Sequence, residues 1–193
     1  MRCLQHSSII LVLAQVHLSS RYSWVNKTLK AIGAKKEPSI TLLTPNQLKK
    51  AKATLASPIN NTATERSLTL WWESILAKDT LPSDGKEIAQ ATLEHILPQN
   101  SDSVKEWVDA IPDPALRKTC SRMIGNLTAL DPETNLAISN SSFDRKRQAF
   151  NSRKAAKRFN TVQQILEYPE WTSYQVYERT DKLAKAISKE LGL

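Results

Sequence analysis

Glycine, cysteine and histidine are scarce in this chain of 193 residues, which contains 4, 2 and 3 of them. So few glycines argue against a glycine-rich β architecture, and we expect a mostly helical α+β protein with a small sheet. Cys3 and Cys120 are too few and too far apart for a disulfide framework or a cysteine-rich zinc site. We expect both to be reduced thiols in a cytoplasmic protein, with Cys120 buried as a small apolar side chain.

Long apolar runs are missing as well. Arg2 followed by the apolar segment 8–14 resembles the start of a signal peptide, but the segment is too short to span a bilayer. Residues 17–20 form a poor cleavage site. We therefore predict a buried amphipathic helix within residues 1–20 and no membrane association. There is also no glycine-rich phosphate loop and no Ser-His-Asp order, so the sequence shows no residues for nucleotide hydrolysis.

Positive charge is abundant and concentrated. The formal net charge is +8 and the sequence pI is about 9.5, which favours a polyanionic partner. Residues 144–158 carry +6 of this charge, and we predict a basic helix there, anchored in the core by Phe143 and Phe150. A charge run is usually a solvated helix face, but this one would suit the phosphate backbone of DNA. The predicted DNA-contacting residues are Arg145, Lys146, Arg147, Arg153, Lys154, Lys157 and Arg158.

A carboxylate and an imidazole stand side by side in the apolar segment Thr92–Leu97. Glu94 and His95 would point to opposite faces of a continuous strand, so they can share a cleft only where the strand ends. Pro98 predicts that end. The carboxylate of Glu94 could hold Mg²⁺, while His95 takes a proton from water. Such a pair before a proline is, taken alone, more often part of a surface turn.

Two asparagines follow in a second pattern. Gly125-Asn126 opens a short apolar run, Asp131-Pro132 is typical of a turn or helix start, and Asn135 lies on or just before that helix. The predicted order is therefore a strand with Glu-His, a strand with asparagine, and a helix with asparagine.

This combination resembles the HNH, or His-Me finger, endonucleases, and more narrowly the C-terminal nuclease domain of GmrSD-type modification-dependent restriction enzymes. The resemblance covers about residues 65–193. The matching residues are Glu94 to Gln99, Ile124 to Thr128, Asn135, Ser139, Asn140, Phe143 and Lys146.

The resemblance implies a ββα-metal motif with defined roles. His95 would be the general base, Glu94 and Asn135 would be ligands of a divalent metal, Mg²⁺ or Mn²⁺, and Asn126 would brace the loop and orient His95. Asn140 remains an alternative ligand to Asn135, although it also suits a helix N-cap. Proteins of this type usually carry an N-terminal nucleotide-dependent domain, which is not recognisable in this chain. We expect it as a partner domain or subunit.

Helical patterns fill the remaining chain. Thr44-Pro45 predicts a capped helix start, residues 57–64 a loop, and the face of Leu68, Trp71 and Trp72 a helix packed on the core. Paired tryptophans could instead stack on bases. We predict two parts: an N-terminal helical segment at residues 1–60, interpreted as a remnant of a longer protein, and an HNH-like nuclease domain at 61–193.

The sequence thus predicts a metal-dependent DNA endonuclease acting in restriction or defence against foreign or modified DNA. The alternative is a nucleic-acid-binding domain that keeps the nuclease fold but is inactive or needs its partner. A helical interaction module in which Glu94 and His95 are incidental is the third possibility.

Overall fold

The computed structural model of the chain describes residues 9–10, 13–14, 44–77, 90–154 and 156–193. It divides into two compact units, one comprising Met1–Ser57 and Ala184–Leu193 and the other Pro58–Leu183. The assignment of residues 1–60 and 61–193 to two functional domains stays a prediction. Cys3 lies outside the described residues.

In the first unit, helix α1 (Pro45–Leu55) begins where its sequence predicts. Thr44 Oγ1 accepts a hydrogen bond from the backbone N–H of Gln47 at 3.2 Å, and Gln47 Oε1 accepts one from the N–H of Thr44 at 2.8 Å. This reciprocal cap satisfies two N–H groups that the helix leaves free. Ile9, Ile10 and Leu13 of this unit are buried and helical, and the rest of the predicted N-terminal helix lies outside the described residues.

In the second unit, helix α2 (Thr62–Leu76) corrects the loop predicted for residues 57–64. Asn61 caps it by accepting a hydrogen bond from the N–H of Thr64 at 2.9 Å, so the helix begins inside that segment. Trp71 and Trp72 are 9% and 8% exposed. Their predicted role in the core is confirmed, and their burial argues against stacking on bases.

The sheet consists of two antiparallel strands. Strand β1 (Thr92–His95) pairs with β2 (Leu127–Leu130) in a register that sets Glu94 opposite Thr128 and His95 opposite Leu127. The 3₁₀ turn Ile124–Asn126 leads directly into β2. Two helices lie between the strands in sequence, α3 (Lys105–Ala110) and α4 (Pro114–Ser121).

Helix α5 (Pro132–Ile138) follows β2, capped by Asp131, whose Oδ1 accepts from the N–H of Thr134 at 2.8 Å. The remaining helices are α6 (Phe143–Ser152), α7 (Asn160–Leu166) and α8 (Ser173–Leu191), with a 3₁₀ turn at Ala156–Arg158. The predicted mostly helical α+β class with one small sheet is confirmed. No helix in the described part of the chain is long and apolar enough to cross a membrane.

The hydrophobic core packs around the small sheet and holds the strand ends in place. Its buried members come from the residues on either side of β1, from β2, from the intervening helices and from the C-terminal helices. They include Ile96, Leu97, Trp107, Leu130, Phe150, Val162, Ile165 and Trp171. Cys120 is fully buried there, as predicted.

Candidate functional site

A cavity of about 410 Å³ opens beside the end of β1 and the helix α5. Glu94 and His95 from β1 and Asn135 from α5 all line it, and so does Asn140 from the segment after α5. The order strand, strand, helix therefore gathers side chains that are about forty residues apart in the sequence. All of them line one cavity, and their predicted convergence on one metal-sized site stays a prediction.

Glu94 and His95 reach the same cavity because the strand ends at His95, three residues before Pro98. The N–H of Ile96 donates to the backbone oxygen of Asn126 at 3.0 Å, and the N–H of Leu97 donates to Asn126 Oδ1 at 2.8 Å. These two hydrogen bonds to Asn126, rather than Pro98 alone, hold the turn that follows the strand.

Asn126 is fully buried, and its side chain makes four hydrogen bonds. Oδ1 accepts from the N–H of Leu97 and, at 3.1 Å, from Trp171 Nε1. Nδ2 donates to the carbonyl oxygens of Leu97 at 2.9 Å and Ser121 at 3.0 Å. The amide is therefore saturated, does not line the cavity, and can act on His95 only by fixing the chain next to it.

Two further contacts hold the turn before β2 against α8. Arg179 is buried and donates to the carbonyl oxygens of Gly125 at 2.6 Å and Leu127 at 2.9 Å; burial lowers its pKa to about 10. The N–H of Gly125 donates to Thr180 Oγ1 at 3.1 Å. Asn126 lies between Gly125 and Leu127 in the sequence, so both of its neighbours are anchored to α8.

Glu94 has a partner that the sequence pattern did not predict. Lys146 of α6 donates from Nζ to Oε1 of Glu94 and, at 2.8 Å, to the carbonyl oxygen of His95. Lys146 is fully buried and Glu94 is 7% exposed. Burial raises the pKa of Glu94 and lowers that of Lys146, while the attraction between the two opposes both shifts. Each charge is costly to bury without the other, so the pair fixes the strand end to α6.

The amide of Asn135 is oriented by the strand. Its Nδ2 donates to Thr92 Oγ1 at 2.8 Å and to the carbonyl oxygen of Leu93 at 3.0 Å. This assigns the nitrogen to β1 and leaves Oδ1 as the available oxygen. Asn140 is exposed on the same cavity, so the choice between the two asparagines stays open.

A comparison with known families identifies the chain at this point. The family model for the C-terminal domain of GmrSD restriction endonucleases matches residues 46–186. The chain belongs to this family. The match begins within α1, earlier than the residue 65 expected from the sequence pattern, and ends before the C-terminus. No curated protein matches the sequence.

In this GmrSD-type domain, the oxygen atoms that could hold a metal come from Glu94 and from Asn135 or Asn140. Within the described residues, no group of three or more His, Cys, Asp or Glu side chains could hold a metal ion. A carboxylate and an amide oxygen beside an open polar cavity still fit Mg²⁺, which uses one or two carboxylates and takes its other ligands from water and substrate phosphate.

The basic segment of the domain differs from the predicted single helix. Helix α6 ends at Ser152, and Ala156–Arg158 form a separate 3₁₀ turn. The prediction that Lys146 contacts DNA is wrong, because its side chain is buried against Glu94. Arg147 and Arg153 are half-buried, and Arg153 Nη1 lies 3.2 Å from Glu133 Oε1. The exposed basic residues are Arg145, Lys154, Lys157 and Arg158.

Sequence reasoning missed Glu65, on the first turn of α2. Its carboxylate is fully buried, and Oε2 lies 3.5 Å from His95 Nε2. The exposed Gln99 places its side-chain nitrogen 3.0 Å from the same Nε2. The missed signal was helical spacing, because Glu65 precedes the buried Leu68 and Trp72 by three and seven positions and so shares their face.

Proposed function

We propose that this domain hydrolyses phosphodiester bonds in DNA with the help of a divalent metal ion, as an HNH-class endonuclease that restricts foreign or modified DNA in the cytoplasm. The observation that carries the proposal is the convergence of Glu94, His95 and Asn135 on one cavity. The membership of the chain in the family of GmrSD restriction endonuclease C-terminal domains supports a nuclease role.

His95 is the general base in this proposal. Its side chain is 16% exposed and lines the cavity, so water has access to the ring. Within the described residues, the recorded contacts of the ring involve Nε2 only, which leaves Nδ1 to take a proton from water attacking a phosphate. Correct placement of a general base contributes about 10²- to 10⁴-fold in rate.

Glu94 and Asn135 would hold the metal through Oε2 and Oδ1, because Oε1 of Glu94 and Nδ2 of Asn135 are bonded elsewhere. When bound, a divalent ion supplies charge stabilisation at the phosphate and at the departing oxygen. Lys146 keeps the carboxylate of Glu94 in place, while the backbone turn held by Asn126 keeps His95 at the end of the strand.

The DNA backbone would follow the exposed basic side chains of the segment 145–158. Phosphate contacts of this kind position the duplex without reading its sequence. The part that selects modified DNA would come from a nucleotide-dependent partner domain or subunit, which the family resemblance implies.

The test is cleavage of supercoiled plasmid by the purified full chain with Mg²⁺ or Mn²⁺, with an EDTA control and a single-stranded RNA substrate in parallel. We expect metal-dependent nicking that falls at least about 100-fold in His95→Ala, while DNA affinity is retained. Nicking that survives in the mutant would refute the role of His95, and cleavage of RNA alone would refute the DNA substrate.

The same assay separates the two candidate asparagines. Asn135→Ala should abolish metal-dependent nicking, and Asn140→Ala should reduce it only slightly. The reverse order would assign the ligand to Asn140.

The pairing of Lys146 with Glu94 favours the second candidate, a DNA-binding domain that is inactive without its partner. In that case the ammonium group of Lys146 stays bound to the carboxylate of Glu94, which a metal ion would need as a ligand. Salt-dependent DNA binding without nicking in any metal would then be the result, for wild type and His95→Ala alike.

A further inference from the structure

Glu65 is a buried carboxylate to which the described part of the chain donates no hydrogen bond. Its side chain is 0% exposed, and neither of its side-chain oxygens has a hydrogen-bond partner among the described residues. Carboxylates are almost never fully buried unless they are paired. A charge left alone in this position would destabilise the fold, so its neighbours define its role.

Two basic groups flank the carboxylate. Oε2 lies 3.5 Å from His95 Nε2, and Oε1 lies 3.9 Å from Arg122 Nη1. The three residues come from α2, the end of β1 and the turn after α4, so the arrangement is purely tertiary. Glu65 also lies in the first turn of a fifteen-residue helix, where the helix dipole favours a negative charge.

The distance to His95 is slightly too long for a hydrogen bond, and Gln99 lies at the same imidazole nitrogen. Its side-chain nitrogen is 3.0 Å from Nε2. Gln99 is exposed, and the nitrogen and oxygen ends of a glutamine amide are nearly interchangeable in shape. With its oxygen end turned to the ring, a proton on Nε2 faces two acceptors, Gln99 Oε1 and Glu65 Oε2.

We propose that Glu65 is a positioning residue for His95, holding the proton on Nε2 and thereby leaving Nδ1 as the basic nitrogen that faces the reaction. Which imidazole nitrogen carries the proton is set by the hydrogen bond that the other makes. Arg122 keeps the carboxylate paired on its second oxygen. As far as catalysis is concerned, the inference rests on the proposed nuclease function.

The lone pair on Nδ1 takes a proton from water, and a new N–H bond forms as the O–H bond breaks. The resulting hydroxide forms a bond to phosphorus while the bond from phosphorus to the departing oxygen breaks, and that oxygen takes a proton from solvent. The ring, now positive, has its Nε2–H directed at the negative carboxylate of Glu65. A neutral group at position 65 would not balance that charge.

Imidazole nitrogen spectra of the ¹⁵N-labelled full chain provide a test that does not require activity. The chain has three histidines, and the signals lost in His95→Gln identify His95. We expect the wild-type ring to carry its proton on Nε2, and Glu65→Met, an apolar replacement of similar size, to shift the ring towards the Nδ1–H form. Unchanged His95 signals in this variant, or a wild-type ring protonated on Nδ1, would overturn the inference.

Kinetics give a second readout. Glu65→Gln keeps the shape and an acceptor oxygen but removes the charge, so kcat should fall about 10- to 100-fold with little change in KM. Should Glu65→Met fail to fold, this variant carries the test. An unchanged kcat would contradict the proposal.

Glu73→Gln is the matched control. Glu73 lies two turns along α2 and is 1% exposed, but its carboxylate accepts hydrogen bonds from Asn160 and Thr161. This variant should lose stability and leave the His95 signals unchanged. Equal shifts of the His95 signals in Glu65→Met and Glu73→Gln would mean that any loosening of α2 changes the ring, and would refute the inference. A shift in Glu65→Met combined with an inactive wild type would support the Glu65–His95 pair and refute the nuclease function instead.

Discussion

Removing the side chain of Asn126 tests whether the turn beside His95 depends on one amide. Asn126→Ala deletes four hydrogen bonds of 2.8 to 3.1 Å. Their partners, Leu97, Ser121 and Trp171, are buried, so water cannot replace the lost groups without opening the core. At about 1 kcal/mol for each bond, the free energy of unfolding should fall by about 4 kcal/mol. That is a large part of the roughly 5–15 kcal/mol typical of a whole domain.

Urea unfolding followed by tryptophan fluorescence measures this loss, since Trp171 itself donates to Asn126. Asn126→Asp should be similarly damaging, because a carboxylate oxygen would replace Nδ2 opposite the carbonyl oxygens of Leu97 and Ser121. Asn151→Ala is the control: Asn151 is exposed and donates one hydrogen bond to a carbonyl oxygen of its own helix, so the change should stay within about 0.5 kcal/mol. A decrease of less than about 1 kcal/mol in the unfolding free energy of Asn126→Ala would refute the dependence of this turn on the Asn126 amide.

Three more predictions address packing, thiol reactivity and DNA contact. Gly125→Ala would place a Cβ against the backbone oxygen of Val176 in α8, with no room for it. Thermal melting should show a loss of stability of about 1–3 kcal/mol, and an unchanged melting temperature would contradict this close contact. Burial raises the pKa of Cys120 to about 11, so its thiolate is rare at pH 8. Alkylation of Cys120, followed by mass spectrometry, should therefore be roughly 100-fold slower in the folded protein than in urea. Equal alkylation rates in the two states would contradict the burial of this thiol. Replacing both Lys154 and Lys157 by Gln should weaken DNA binding and reduce the steepness of log affinity against log salt concentration by about 2. Lys118→Gln, outside the basic segment, should leave this slope as in wild type. An unchanged slope in the double variant would show that this surface does not contact DNA.

Local signals predicted several helices and strands of both units. Thr44-Pro45 and Asp131-Pro132 mark helix starts through caps that involve only neighbouring residues. The strand at Glu94-His95 and the helix at Asn135 follow from the same kind of short-range pattern. The start of α2 was predicted a few residues too late, because Asn61 was assigned to a loop although asparagine is also a good N-cap.

Lys146 shows where a local pattern misleads. It lies in a run of basic residues with Arg145 and Arg147, and the charge run predicts a solvated face. Its spacing from Phe143 and Phe150, three and four positions, places it on the buried face instead. The sequence contained this signal, but nothing in it named Glu94, 52 residues away, as the partner that makes burial of the charge tolerable.

The sequence by itself predicted the family of this protein and the order of its two strands and the following helix, because these depend on patterns of neighbouring residues. Packing of the strands and the helix brings Glu94 and His95 to the same cavity as Asn135, about forty residues away. Only the tertiary structure decided which charges pair. Glu94 meets Lys146 and Glu65 meets His95 because β1 lies against both α6 and α2. Burying a charge is tolerable only beside an opposite one, and packing between distant segments selects that neighbour.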